Sequence, residues 1–510
     1  MKKLSLQNIL TDIVAVISLV FVVMVFVLNF VFTATVSANA YEIVTIKQTV
    51  FSGVILSLVV LAVLYLSTFI KRHKNKFNAK KLFVICTIVY LIAGMYLLLN
   101  VDNIIRADAG TCYNVATTIK EGNYGYFTVG GYCYRYPHQI GLVLYDRILQ
   151  IFSSDVYFVF MANLAFVIGI NYVNYKISDY IFADKYTSIF TVIISFAFLP
   201  QLFFILFAYG LIPGFFFMIC AFYYAIKFVK EKKTKALVLT AVFAGLATLL
   251  KKNFLIGVIA IAIYMVLSIK KEKLVKSLVA VACVLLASVL SSQLVIGCFE
   301  GLSKQDLHNG APSILWVTMG TDLDNAGRAP GWYDGSVYQI YTDTGYSKEL
   351  SSQIGKVRLE ENLDKIKSDP TRAFKFFANK NISQWCEPTY QSIWSGPLED
   401  CGQNTHTKLL KSIYTGQTGA KVVTIFSKFI TLLIWGFAAV FLIRHRKEKD
   451  GWQIAFMYFV GGLLFHTVWE GKSQYIYPYV FSLIPFVAFA FNKTSLELTE
   501  KLKNRKTKKK

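Results

Sequence analysis

The sequence predicts an all-α polytopic membrane protein, a bundle of about twelve transmembrane helices with two polar blocks outside the membrane. Three observations carry that class. Hydrophobic residues make up 55% of the 510-residue chain and charged residues only 16%, with a mean hydropathy of +0.50, which is too apolar for a soluble protein of this length. Apolar runs long enough for a spanning helix, roughly 20 residues, recur along the chain, while strand-type alternation is absent and excludes a β-barrel. The net charge of +23 is gathered on one side: segments 1–12, 71–81, 176–185, 227–235, 270–276, 444–450 and 492–510 hold 31 Lys and Arg against 9 Asp and Glu, and the remainder holds 22 against 21. Such a bias places those segments in the cytoplasm and makes the inner leaflet, not nucleic acid, the basic partner.

Taken in order, residues 1–101 supply three spans. A basic start precedes an apolar run near 12–33, too long for the usual core of a signal peptide although "SANA" ending at Ala40 has the small-x-small form of a cleavage site. Runs near 48–70 and 82–101 flank "KRHKNKFNAKK", the strongest cytoplasmic anchor, so residues 102–155 lie outside. In that block Ala109 to Glu121 can be helical, and Gly130-Gly131 marks a turn. "PHQIGLVLYDRILQIF" then sets Ile140, Leu144 and Ile148 on one helical face, with Asp146 and Arg147 off it, as in an amphipathic helix lying in the outer interface. Residues 156–298 hold spans near 156–175, 187–202, 208–228, 236–250, 254–269 and 277–297. Parity puts Lys251 and Lys252, between two short runs, outside. Residues 299–419 have the composition of a folded outer region, with Trp316, Trp332, Trp385 and Trp394 offering core. Spans near 422–443, 452–469 and 475–491 and a basic tail at 492–510 complete the chain, with both termini cytoplasmic.

Of eight cysteines, Cys112 and Cys133 share one outer block and Cys386 and Cys401 the other, which allows two disulfides in an oxidising exterior; free thiols fit the sequence equally well. Cys86, Cys220 and Cys283 sit in apolar runs as small hydrophobes.

The polar stretch 103–150 concentrates the residues able to do chemistry. Asp108, just past the outer end of a span, can serve as a general base towards a hydroxyl, or be an ordinary solvated carboxylate, and Asp102 is an equal candidate on position alone. Arg106 and Arg135 can each grip a phosphate with paired hydrogen bonds, or pair with a nearby acid. His138, between Pro137 and Gln139, reads as a substrate-contacting group, because no His, Cys or Asp spacing here is that of a zinc site. Further on, His466 is an ionisable residue within a span and shares a helical i, i+4 face with Glu470. Trp469, Lys472, Tyr475 and Tyr477 read either as an interfacial belt or as site residues. Lys251 and Lys252 read either as phosphate ligands or as topological charges. No Walker A loop and no glycine-rich nucleotide fingerprint is present.

The run "RADAGTCYNVATTIKEGNY" followed by "GGYCYRYPHQIGL" resembles the first outer loop of GT-C superfamily glycosyltransferases, the bacterial relatives of protein O-mannosyltransferases and lipid A aminoarabinose transferases. Asp108, Tyr113 and Ala116, then Tyr136, Pro137 and Gln139, carry the match, and "GLATLLKKN", "WVTMG", "PGWYD" and "FHTVWEGKSQYIYPY" extend it. Two spans precede the one leading into the loop, a departure from the simplest form of the pattern. The resemblance implies a GT-C-like bundle in a bacterial plasma membrane that moves a sugar, with inversion, from a polyprenyl-phosphate donor to a polysaccharide, teichoic acid, lipid or protein of the cell envelope. It implies Asp108 as the base, and Lys472, Lys251, Lys252 and Arg106 on the donor phosphate. Tyr113, Tyr136, His138, Gln139, His466, Glu470 and Tyr475 fall to substrate binding. No cofactor follows from it, and a divalent metal stays open because some superfamily members use one. The alternative is a polytopic lipid or polysaccharide transporter, for which ionisable groups near mid-span or broken paired helices would be the mark. A non-enzymatic membrane scaffold is a further alternative.

Overall fold

A computed structural model describes residues 6–72, 78–268, 274–325, 327–448 and 450–507. Parts of the expected cytoplasmic anchors, at 1–5, 73–77, 269–273 and 508–510, lie outside the described residues. Helix α1 (Leu6–Val31) leads into an antiparallel hairpin, β1 (Phe32–Val36) paired with β2 (Val44–Gln48), before α2 (Val50–Arg72). The sequence reading had no strand there. Five residues a side are enough because Thr, Val and Ile favour extended backbone, and the outer block lengthens the pairing: Ala34 N–H donates to Cys386 O and Val44 N–H to Arg328 O. "SANA" forms the hairpin turn, closed by Ser37 Oγ donating to Asn39 Oδ1 at 2.8 Å.

Helix α3 (Ala79–Leu99) is capped by Asn78, whose side chain accepts from the N–H of Lys80 and Lys81. The first outer block follows as α4 (Ala107–Lys120), the one-turn α5 (Tyr132–Arg135) and α6 (Ile140–Phe152). One expectation fails in α6. Asp146 is not on an open face but 1% exposed, because α6 lies on α4 and buries Leu142, Val143, Asp146 and Gln150 together. Gln150 Nε2 holds the pair by donating to Tyr113 O and Thr117 Oγ1. Of the face that the spacing turned outward, Ile148 is exposed, as are Ile151 and Phe152 beyond it, but Ile140 is fully buried, so only the C-terminal part of that face is open.

The bundle continues with α7 (Val156–Phe182), α8 (Lys185–Ala197), α9 (Pro200–Phe203), α10 (Leu211–Glu231), α11 (Thr234–Leu250), α12 (Leu255–Leu267) and α13 (Leu274–Ser303). The second outer block contains α14 (Ile314–Thr321), α15 (Ser336–Asp343), α16 (Lys348–Ser368), α17 (Pro370–Trp385) and α18 (Lys408–Tyr414). Helices α19 (Thr418–Val440), α20 (Trp452–Val468), α21 (Tyr477–Phe481) and α22 (Ile484–Thr507) close the chain.

Among the described residues, seven helices are long and apolar enough to cross a membrane, or up to nine if each of two bent pairs is one span. The pairs are Lys185–Ala197 with Pro200–Leu206, bent by 51°, and Ser473–Phe481 with Ile484–Asn504, bent by 52°. The expected number of about twelve is not reached by length. Thr234–Leu250, Lys252–Leu267 and Trp452–Val468 are apolar but shorter, and at 1.5 Å per residue each falls a few ångströms short of a core of about 30 Å. The long helices at the rim show large apolar side chains to the outside, among them Val20, Leu58, Ile92 and Leu294. A band of that extent belongs in lipid, not water.

All eight cysteines are free thiols, so neither allowed disulfide is present; Cys112, Cys133 and Cys386 are buried and Cys401 is exposed. The outer block is fastened to the bundle by Lys380 of α17. This side chain is completely buried, and its ammonium donates to the carbonyls of Gly320, of Thr467 at 3.0 Å and of Trp469 at 2.6 Å. Gly331 makes the close approach feasible: its φ is +69°, and a Cβ there would lie 2.6 Å from Lys380 Cε.

Replacing Lys380 with Met orphans three carbonyls, each costing about 1 kcal/mol or more when buried. A loss of about 3 kcal/mol is expected, read as a lower melting temperature of the detergent-purified chain. Lys367→Met, on an exposed stretch of α16, should leave that temperature unchanged.

Candidate functional site

The two outer blocks and the ends of α12, α13 and α20 enclose one cavity of ≈ 1200 Å³. It is where the predicted residues converge. Asp108, Arg106, Tyr136, His138, Gln139, Lys251, Lys252, Glu470, Lys472 and Tyr475 all border it. Segments far apart in the chain, "GLATLLKKN", "WVTMG", "PGWYD" and "WEGK", each contribute to its wall through Lys251, Trp316, Tyr333 and Trp469.

Asp108 lies in the first turn of α4, where the positive end of the helix dipole favours a carboxylate. It is exposed to the cavity and carries no ion pair; Tyr209 Oη donates to its Oδ2 at 3.4 Å. Gln139 Nε2 in turn donates to Tyr209 Oη at 2.6 Å, which fixes the phenol. Lys251 completes the group. Its Nζ lies 4.1 Å from the Tyr209 ring centroid and 5.4 Å from that of Tyr475, and it donates to Tyr209 O at 3.5 Å. Burial, against the pull of Glu470, brings the Lys251 ammonium down to about 8, so it is charged at neutral pH and loses that charge just above it. Lys252 is exposed on the same wall, which puts the lysine pair on the side of Asp108.

Two expected cations are already committed. Arg106 caps α4, stacks on Trp394 at 4.2 Å and donates to the carbonyls of Trp394 and Gly396. Lys472 Nζ is 2.9 and 3.2 Å from the two carboxylate oxygens of Glu42. Glu42, at the tip of the β-hairpin with φ +59°, has no exposed surface and also accepts from Arg328 and, at 2.7 Å, from Gln391 Nε2. Burial opposes its charge, but Lys472 and Arg328 outweigh that penalty and hold the carboxyl below the usual range.

Other candidates take supporting places. Burial, with Lys252 and Lys251 close by, pulls the His138 imidazole down to about 3, so it is neutral and can hydrogen-bond but not serve as a cation. Glu470 is not on the helix of His466, since α20 ends at Val468; the His466 Nδ1 contact at 3.1 Å is with the backbone oxygen of Glu470. The Glu470 carboxyl is turned to the cavity, and burial raises it above the ordinary carboxylate range. His466 is fully buried between Tyr479 Oη at 3.2 Å and the Tyr475 ring, stacked at 5.1 Å, and therefore positions Tyr475 instead of touching a ligand. Tyr113 is also buried off the cavity, its hydroxyl donating to Ser154 O at 2.8 Å. Asp102 drops out as a base: it pairs with His406 at 3.2 Å and accepts from Asn404 N–H at 2.7 Å, away from the cavity.

Sequence reading missed Tyr209, Glu42 and Arg328. Tyr209 and Glu42 sit in short turns at the outer ends of apolar runs, where parity alone would have put them beside Asp108. Trp332 and Trp385 are core, as expected; Trp316 and Trp394 instead border the cavity. Among the described residues no three His, Cys, Asp or Glu side chains gather in a way that could hold a metal ion.

Comparison with family models, with curated proteins and with solved structures gives no match. What the cavity can do is accordingly argued from its own chemistry.

Cys401 borders the cavity with an exposed thiol. In a Cys298→Ser background, which removes the exposed thiol at the end of α13, a membrane-impermeant maleimide applied to intact cells is expected to label the chain, and Cys401→Ser to abolish that labelling. Labelling only after the membrane is permeabilised would put the cavity on the inner side.

Proposed function

We propose that this chain is a GT-C-type glycosyltransferase that moves a sugar from a polyprenyl-phosphate donor to a cell-envelope acceptor at the outer face of a bacterial plasma membrane. One observation carries the reading. The cavity holds an uncommitted carboxylate and two lysines that form no ion pair among the described residues, and Leu255, Ile256 and Ile259 of α12 and Ile296 of α13 add apolar surface to its wall. Leu255 and Ile259 are 41% and 47% exposed, so this flank offers open apolar surface. An amphiphile with an anionic head and a hydrocarbon tail suits a wall of that mixed character. The volume exceeds the roughly 300–1,000 Å³ of a pocket for one small ligand, leaving room for a second reactant.

In the proposed reaction the acceptor hydroxyl gives its proton to Asp108 as its oxygen attacks the anomeric carbon of the donor sugar. The bond from that carbon to the phosphate oxygen breaks on the opposite side, which inverts the centre, and the lipid phosphate departs. Lys251 and Lys252 stabilise the charge that develops on the leaving oxygen. Tyr209, held by Gln139, orients Asp108. Lys472 and Arg106 act at one remove, holding the cavity wall in place instead of gripping the phosphate. Residues 299–419 cover the site and select the acceptor. On this reading the three short helices and the two bent pairs each cross, which makes twelve spans with both termini cytoplasmic. The shared cavity of Asp108 and the Lys251–Lys252 turn agrees with that parity.

A transporter reading has the two bent pairs in its favour, since broken helices mark substrate sites in transporters. The first break weighs against it. Phe198 there is packed on Tyr390 at 5.4 Å and Phe481 at 5.5 Å, an aromatic junction.

Membranes carrying the wild type should transfer label from a radioactive polyprenyl-phosphate sugar to envelope material. Asp108→Asn should lower that rate about 10²-fold or more at equal expression, the usual contribution of a general base. Equal rates would remove Asp108 from the role, and lipid movement without any sugar transfer would favour the transporter.

Donor affinity should follow the Lys251 charge, weakening as the pH rises through about 8. Lys251→Met should raise the donor KM about tenfold, the loss of one charge-assisted contact, and Lys251→Arg should flatten the pH profile.

A further inference from the structure

The proposed chemistry uses the polar floor of the cavity and leaves its aromatic wall without a task. Trp316 of α14 and Trp469, just past α20, border the cavity with ring planes within 2° of parallel and centroids 6.1 Å apart. Both are half-buried, unlike the core indoles Trp332 and Trp385. Their orientation is fixed from behind and from the side. Phe465 stacks on Trp469 at 5.0 Å, while Tyr136 and His138 meet Trp316 edge-on at 6.2 and 6.1 Å. Backbone locks the two together: a Cβ on Gly320 would come within 2.6 Å of Trp469 O, so α14 rides directly on the segment that carries Trp469.

Two parallel, rigid, apolar rings beside hydrogen-bonding groups select one kind of ligand. A hydrocarbon chain would have no use for the neutral His138 imidazole next to them, and an anion would go to Lys251 and Lys252. A pyranose has both features required. The C–H bonds on one face of the ring carry slight positive charge and lie well on the negative π face of an indole, while the hydroxyls project sideways to polar partners. We infer that Trp316 and Trp469 form a carbohydrate-binding shelf that seats a pyranose ring within reach of Asp108. The inference rests on the transferase reading for its place in a reaction, but the shelf binds sugar whether or not turnover occurs.

The test uses the full chain, purified in a detergent without a sugar headgroup, and equilibrium binding of radiolabelled methyl glycosides and disaccharides of glucose, galactose, mannose and N-acetylglucosamine. At least one should bind saturably. Trp316→Ala and Trp469→Ala should each weaken it at least tenfold, and Trp469→Tyr should stay within about threefold of wild type. The melting temperature and the Cys401 labelling rate show that each variant is folded. If no saccharide in the panel binds saturably, or if binding survives both alanine variants, the shelf is wrong. A short-chain prenyl-phosphate sugar added to the bound saccharide separates the two sources of the ring: displacement assigns the shelf to the donor sugar, and simultaneous binding assigns it to the acceptor. Saccharide binding without any transfer would sink the enzyme reading alone, whereas transfer without saccharide binding would sink the shelf alone.

Discussion

The buried carboxylate of Glu42 is the interaction on which the arrangement of the outer region depends. Placing a charge out of water is costly unless every lone pair is answered, and Glu42 is answered by Lys472, Arg328 and Gln391. Those partners stand 430, 286 and 349 residues away in the chain. The hairpin after α1, the second outer block and the segment after α20 are thereby drawn to a single point. Directional hydrogen bonds of this kind specify one geometry where apolar packing would tolerate several. Lys380 repeats the device from the donor side: its buried amine, brought down to about 7 by burial, is answered by three carbonyls. Between the two fastenings, Trp316, Trp469 and Glu470 are held at fixed positions around the cavity.

Charge inside the cavity is consequently divided by role. Lys472 and Arg106 have their donors spent on protein, so they shape the wall. Lys251 and Lys252 have none spent on a carboxylate, so they are the ones able to meet an incoming anion. Asp108 stands apart from both groups, fed by a single phenol and otherwise open. Glu470 sits deeper, where burial favours its neutral form.

Hydrophobic composition made the membrane class legible, because that signal is a sum over many residues. The twelve apolar segments read from the sequence all appear as helix. Whether a segment is a full span is a matter of a few residues of length and of local bends, and a window of apolar residues does not resolve that. Ten of the twelve residues expected at a site border the cavity, and they were legible as polar side chains at the ends of apolar runs. Their partners were not. Nothing in the spacing of Glu42 and Lys472 announces a pair formed across most of the chain, and Tyr209 is one tyrosine among thirty. Asp146 shows the limit of periodicity: its helical position was read correctly, but α4 covers the face on which it lies, and only the tertiary arrangement says so.

The apolar flank between α12 and α13 has a consequence for kinetics on the reading proposed. A substrate entering along Leu255 and Ile259 arrives from the bilayer without passing through water. Its supply is then a surface density, set by how many carrier molecules occupy each unit of membrane area, and encounter takes place in two dimensions. Diluting the membranes in buffer changes the bulk concentration but not that density. The chain would turn over at the same rate per molecule in a sparse suspension as in a dense one, and it would respond instead to any lipid that competes for area in the outer leaflet.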